Sequence, residues 1–201
     1  MLRELRPAIV LLAALTIITG FLYPLAITGI SQILFPRQAQ GSLIVQDGKV
    51  IGSELIGQSF TSAKYFHGRP SATTGTDPAD PSKTVPQPYN AVNSMGSNLG
   101  PTNKALIDRA KADVEKLKAE NSSMPVPIDL VTTSGSGLDP DISPDAAMFQ
   151  VPRVAKARNL PEEDLRNLVE KHVDGRLFGI LGEPRVNVLA LNLDLDRAAA
   201  R

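Results

Sequence analysis

The stretch that decides the architecture is Pro7–Pro36, PAIVLLAALTIITGFLYPLAITGISQILFP, which carries no charged residue. A helix crossing the ~30 Å hydrocarbon core of a bilayer needs ~20 predominantly apolar residues, so this run can span with turns to spare. Tilt, or resting the ends in the interface, absorbs the excess. The predicted anchor covers residues 7–35, with 1–6 before it and one soluble domain, 36–201, after it. Pro24 removes a backbone donor inside the run and predicts a kink. A secretory signal core would be ~7–15 residues and precede a small-residue cleavage site, and Ala39-Gln40-Gly41 matches such a site poorly. The length therefore favours a retained anchor. Arg3, Arg6 and the amino terminus precede the span, whereas Arg37 and Lys49 follow it. The positive-inside tendency then predicts a cytoplasmic N-terminus and an extracytoplasmic soluble domain.

Thr16, Thr19, Gly20 and Tyr23 recur at i, i+3, i+4 and i+7 along this helix. Small and hydroxyl-bearing residues on one stripe allow close approach of a second helix and offer hydrogen bonds. They form a candidate partner-binding face, with each Thr bonding back to its own helix as the alternative.

The rest of the chain limits the chemistry available. Lysine plus arginine (21) balances aspartate plus glutamate (21), so no basic excess draws it to nucleic acid. Cysteine is absent, which excludes disulfides, thiolate nucleophiles and Cys-ligated metals. Sixteen prolines and fifteen glycines predict many loops. The predicted fold is α+β, a small and mostly antiparallel sheet with several short helices.

Within 42–60, Leu43-Ile44-Val45 and Val50-Ile51 flank Asp47-Gly48, a dipeptide favoured in tight hairpin turns. The proline-rich segment 75–90 reads as a long exposed loop without regular structure. Pro101–Glu120 reads as an amphipathic helix, and Ile128–Thr132 as a short strand. Ser143-Pro144 opens a further helix, expected to break at Pro152 and to end near Asn159. Pro161–His172 is a helix with acids in its first turn, where the dipole favours them. Leu189, Leu191, Leu193 and Leu195 alternate, which predicts a strand over Val186–Leu195.

No strong catalytic pattern stands out. The two histidines, His67 and His172, lie in separate segments and form no HExxH motif. Ser134-Gly135-Ser136-Gly137 is not a nucleophile elbow, because Thr132 and Ser134 stand where glycine is required. Nor is it a P-loop, since no Gly-Lys-Ser/Thr follows. Asp139, Asp141 and Ser143 resemble the first half of a calcium loop. Pro144 and Gln150, however, replace its glycine and its bidentate glutamate. A Gly/Ser loop leading into a capped helix can still present N–H groups to a phosphate, although it is also an ordinary loop and cap.

Several strings, in order along nearly the whole chain, carry a resemblance. They are Thr19-Gly20 and Tyr23-Pro24; Gly52-Ser53-Glu54-Leu55-Ile56-Gly57-Gln58; Phe60-Thr61-Ser62; Tyr65-Phe66-His67-Gly68-Arg69-Pro70-Ser71; and Tyr89-Asn90-Ala91. Further on come Gly96-Ser97-Asn98-Leu99-Gly100-Pro101, Thr133–Pro140 and Leu181–Leu189. Together they resemble the C chain of the Kdp-type potassium-transporting P-type ATPases. The resemblance implies a non-catalytic subunit of a bacterial inner-membrane complex. Its implied partners are a channel-like potassium-binding subunit and an ATP-hydrolysing subunit. It also implies a catalytic chaperone that raises ATP affinity, with ATP binding ascribed to the family. On that basis Ser134, Gly135, Ser136, Gly137, Asp139 and Gln150 are the candidate nucleotide-binding residues. No metal site is expected. An outward-facing domain cannot touch cytoplasmic ATP, so its effect would then cross the membrane as a coupling between sites. Two other classes stay open: an anchored hydrolase using Ser134 or Ser136, and an exported binding protein released near Gly41.

Overall fold

A computed structural model describes residues 2–199. The chain forms two compact units, Met1–Ser53 and Glu54–Arg201.

The first unit is dominated by one long helical run, Arg3–Leu34, 32 residues of mean hydropathy 2.2. At 1.5 Å per residue it is ~48 Å long, more than the hydrocarbon thickness requires. It divides into α1 (Leu2–Ile17), a π turn (Ile18–Leu22) and α2 (Tyr23–Leu34). The effect predicted for Pro24 is realised as this wide turn. Pro24 occupies the first turn of α2, where its missing N–H costs least. A short helix α3 (Pro36–Ala39) leads to a hairpin of β1 (Leu43–Gln46) and β2 (Lys49–Ser53). Asp47 and Gly48 both take positive φ, +52° and +75°, as a tight turn of this type demands. A register shift falls between Ile44 and Val45.

In the second unit β3 (Thr74–Thr76) pairs antiparallel with β4 (Thr84–Pro86). This corrects the expectation that 75–90 holds no regular structure. The ribbon has only two strands, so Pro86 can sit in one without breaking a ladder on its far side. Helix α4 (Lys104–Glu120) starts after Asn103, whose side chain accepts from the Ala105 N–H. Ile128–Leu130 is a 3-10 turn rather than a strand. Leu130 and Val131 are adjacent and both buried, a pattern that an alternating strand does not give.

β5 (Asp141–Ile142) leads into α5 (Pro144–Arg158). Ser143 Oγ accepts from the Ala146 N–H, and Asn159 closes the helix in the left-handed conformation. The expected break at Pro152 does not occur. Ala146, Ala147, Phe149, Val151, Val154 and Ala155 are all buried, and the packing of both halves offsets the lost backbone bond. α6 (Glu162–Lys171) follows, with Pro161 at its N-cap. β6 (Val173–Asp174) and β7 (Arg185–Asn187) complete an antiparallel sheet in the order β5-β7-β6.

The last element, α7 (Val188–Ala199), corrects the strand expected over Val186–Leu195. Only Arg185–Asn187 is extended, and Asn187 Oδ1 then caps the helix by accepting from the Ala190 N–H at 3.0 Å. The alternating leucines mislead because Asn192 belongs to the inward face. Val188, Leu191, Asn192 and Leu195, at helical spacing, are each at most 3% exposed. Phe66, Phe149, Leu165, Val169, Val186, Leu191 and Leu195 form the centre of the core.

Candidate functional site

The segment Ser62–Ser71 runs through the second unit without strand partners, and side chains from two helices take the place of a neighbouring strand. Asn192 of α7 accepts from the Phe66 N–H and donates to the Phe66 carbonyl, both at 2.9 Å. Gln150 of α5 does the same for His67, at 2.8 and 3.1 Å. Arg153 donates to the Ala63 and Tyr65 carbonyls and to Gln150 Oε1. Arg158 donates to the Lys64 carbonyl, and its guanidinium lies 4.7 Å from the Tyr65 ring centroid. Buried backbone groups must be paired, which explains why amides occupy otherwise apolar helix faces. Gln150 is therefore buried and engaged in backbone pairing. His67 Nε2 donates to the Ser62 carbonyl at 2.9 Å. Burial, then the Arg153 charge, pushes the His67 pKa below its usual value.

Beyond His67 the segment meets the Gly/Ser loop. Arg69 pairs with Asp139 at 2.9 Å, while Asp139 Oδ1 accepts from the Asp141 N–H. Ser71 Oγ donates to the Gly137 carbonyl at 2.7 Å and accepts from the Tyr89 N–H. Ser94 Oγ donates to the Ser136 carbonyl, and Ser136 Oγ accepts from the Leu138 N–H. The Leu138 carbonyl accepts from the Gly57 N–H at 2.8 Å. Gly137 has φ +69°, and a Cβ there would stand 2.5 Å from Thr73 Cγ2 and 2.6 Å from the Met95 carbonyl oxygen. No larger residue fits this approach. Tyr89 donates from its hydroxyl to the Arg69 carbonyl at 2.7 Å. Burial, followed by the Asp139 charge, pushes its phenol up to about 12.

The candidate residues do not share one cavity. Asp139 faces a cleft of about 690 Å³ between Arg69, Met124–Ser143 and Glu183–Arg185. Gln150 borders a smaller one, about 320 Å³, with His67, Arg109, Lys116 and Glu120. The larger cleft carries Asp129, Asp139, Asp141, Asp145 and Glu183 against Arg69 and Arg185. Asp129 accepts from the Ser143 N–H at 2.7 Å and from Ser143 Oγ at 3.1 Å, so a carboxylate already occupies the start of α5. Burial raises the Asp141 pKa against the pull of Arg185. This environment repels a phosphate rather than cradling it. Among the described residues no cluster of three or more His, Asp or Glu is arranged to hold a metal.

Arg69, Ser71, Thr73 and Tyr89 organise the loop, yet no local pattern marked them in the sequence. Their partners lie up to 70 residues away. In the apolar helix, Thr19 Oγ1 donates to the Leu15 carbonyl at 2.7 Å, and the space beside Gly20 is open.

The family model for the K+-transporting ATPase c chain, KdpC, matches residues 5–197. The chain belongs to the KdpC family. It is 74% identical over 198 residues to the potassium-transporting ATPase KdpC subunit of Rhodopseudomonas palustris strain BisB18, covering 98% of this chain and 100% of the relative. The KdpC subunit of Bradyrhizobium diazoefficiens is 73% identical over 201 residues, the full length of both. That of Methylobacterium nodulans is 69% identical over the same span. KdpC membership makes the chain a subunit of a potassium-transporting ATPase complex. The N-terminal apolar helix adds the mark of a membrane protein.

Proposed function

We propose that this chain is the non-catalytic accessory subunit of a high-affinity, ATP-driven potassium uptake complex. One inner-membrane span has its N-terminus in the cytoplasm, and the second unit lies outside. It assembles with a channel-like potassium-binding subunit and an ATP-hydrolysing subunit, and acts as a catalytic chaperone for ATP binding by the latter.

The observation that carries this reading is the use made of the Gly/Ser loop. The Ser136 hydroxyl, the Ser136 and Gly137 carbonyls and the Asp139 carboxylate are engaged in holding the second unit together. Gln150 is engaged likewise, on another part of the unit. These residues support a brace rather than a nucleotide pocket. The acids of the adjoining cleft add an electrostatic reason against direct ATP contact. An influence on ATP use is then exerted through the partners, as a coupling free energy transmitted by the membrane segments.

Truncation after Phe35 tests this reading in the assembled complex. The truncated chain inserts into membranes, while potassium-stimulated ATPase activity falls and the apparent KM for ATP rises. Unchanged activity and unchanged KM overturn it. Protease added to the outer face should digest the second unit of the full-length chain and leave the span protected.

A further inference from the structure

Between β6 and β7 the chain projects an arm whose apolar tip nothing in the second unit covers. Leu177, Phe178, Ile180 and Leu181 are 61, 84, 76 and 57% exposed. Single exposed apolar residues are ordinary, but four within five positions form a contiguous patch.

The tip is ordered by its own backbone. Leu177 and Leu181 exchange N–H···O bonds at 2.8 and 3.0 Å, and the Ile180 N–H donates to the Leu177 carbonyl at 3.2 Å. At the base Arg176 pairs with Glu183 at 2.7 Å. Phe178 and Gly179 both take positive φ, +54° and +77°. A turn of this kind favours asparagine or glycine in its first central position, because a bulky side chain is strained there. Phenylalanine at that position gains no packing within the described residues and gives up local comfort. A local rule broken without internal compensation marks a surface used elsewhere.

Area and charge indicate what covers it. The four side chains bury on the order of 500 Å², below the ~800 Å² per partner of a stable free-standing protein pair. The patch is thus too small to hold a second copy in solution. It suffices where a shared membrane already keeps the partner at high effective concentration. Arg176 pairs with Glu183, and Arg185 lies 3.2 Å from Asp141. Neither arginine is left as a collar for anionic lipid headgroups. A preorganised knob suits a shaped protein pocket, whereas fluid lipid rewards no fixed shape.

We infer that the Leu177–Leu181 tip docks into an apolar pocket on another protein subunit of the same membrane complex, with Phe178 as its anchor. This rests on the accessory-subunit reading.

The test uses the full chain co-expressed with the other subunits, solubilised and captured by a tag on this chain. Phe178→Asn removes the ring while suiting the positive φ, so its thermal unfolding midpoint stays at or above that of the unsubstituted chain. Ile180→Ser repeats the test where the backbone is unstrained. Loss of an anchor residue lowers subunit recovery about tenfold. A photoreactive benzophenone side chain placed at 178 cross-links to another subunit, identified by mass spectrometry. Undiminished recovery of both variants overturns the docking tip alone, as do adducts with lipid or with a second copy. If the unsubstituted chain recovers no other subunit, the accessory-subunit reading fails and takes the docking tip with it.

Discussion

Asn192 shows how one side chain can replace a strand. Its amide completes both backbone bonds of Phe66 while being 1% exposed. Asn192→Leu keeps the volume but leaves a buried N–H and a buried carbonyl without partners. The expected cost is about 2–4 kcal/mol, measured as a lower denaturation midpoint of the full chain in detergent. His67 gives a pH dependence. Its folded pKa is depressed by burial and by Arg153, so the stabilisation it contributes is fully present above its ordinary value of 6.5. That contribution is lost as pH falls through the lower folded value. Thermal stability should therefore decline on acidification below 6.5, and His67→Asn should flatten the decline. Neither role was legible in the sequence. Asn192 stood among alternating leucines as if on a polar strand face, and His67 as a lone histidine in a turn. Their partners lie 126 and 83 residues away.

Where a signal was local, the elements were legible. The Asp47-Gly48 turn, the Ser143-Pro144 start, the Asn159 stop and the acidic first turn of α6 all fall where the chain's own chemistry places them. Tertiary packing overrode two local signals. Leucines at alternate positions 189–195 suit a strand, yet Val188, Leu191, Asn192 and Leu195 make the helical stripe that fits the core. Pro152 should end a helix by propensity, but buried residues on both sides of it keep α5 continuous. The cost of Pro152 should then be recoverable. Pro152→Ala restores a backbone donor and should stabilise the chain by about 1–2 kcal/mol, once the looser unfolded state is allowed for. Chemical denaturation measures the gain, and a loss would mean that the ring itself fills space in the core.

For the whole molecule, the division into an apolar span and an α+β unit was readable from thirty uncharged residues and the alternation of short patterned segments. The candidate site was readable only as a string of glycines and serines. Its fixed place in the fold depends on Gly57, Arg69, Ser71 and Ser94, which converge on it from distant positions. The family strings that read as separate motifs along the chain therefore meet in space as one hydrogen-bonded seam. A change in any of them is expected to act on the unit as a whole, not on a detachable ligand site.

The π turn at Ile18–Leu22 has a geometric consequence for the membrane span. Each such turn accommodates one residue more than an α turn, which re-phases everything beyond it by about 100°. Thr16 and Thr19 lie at or before this slip and Tyr23 after it, so a helical wheel drawn through all four positions overstates their alignment. The span presents two half-faces offset around its axis, and a neighbouring helix following one of them would have to change sides, or stop, midway through the bilayer.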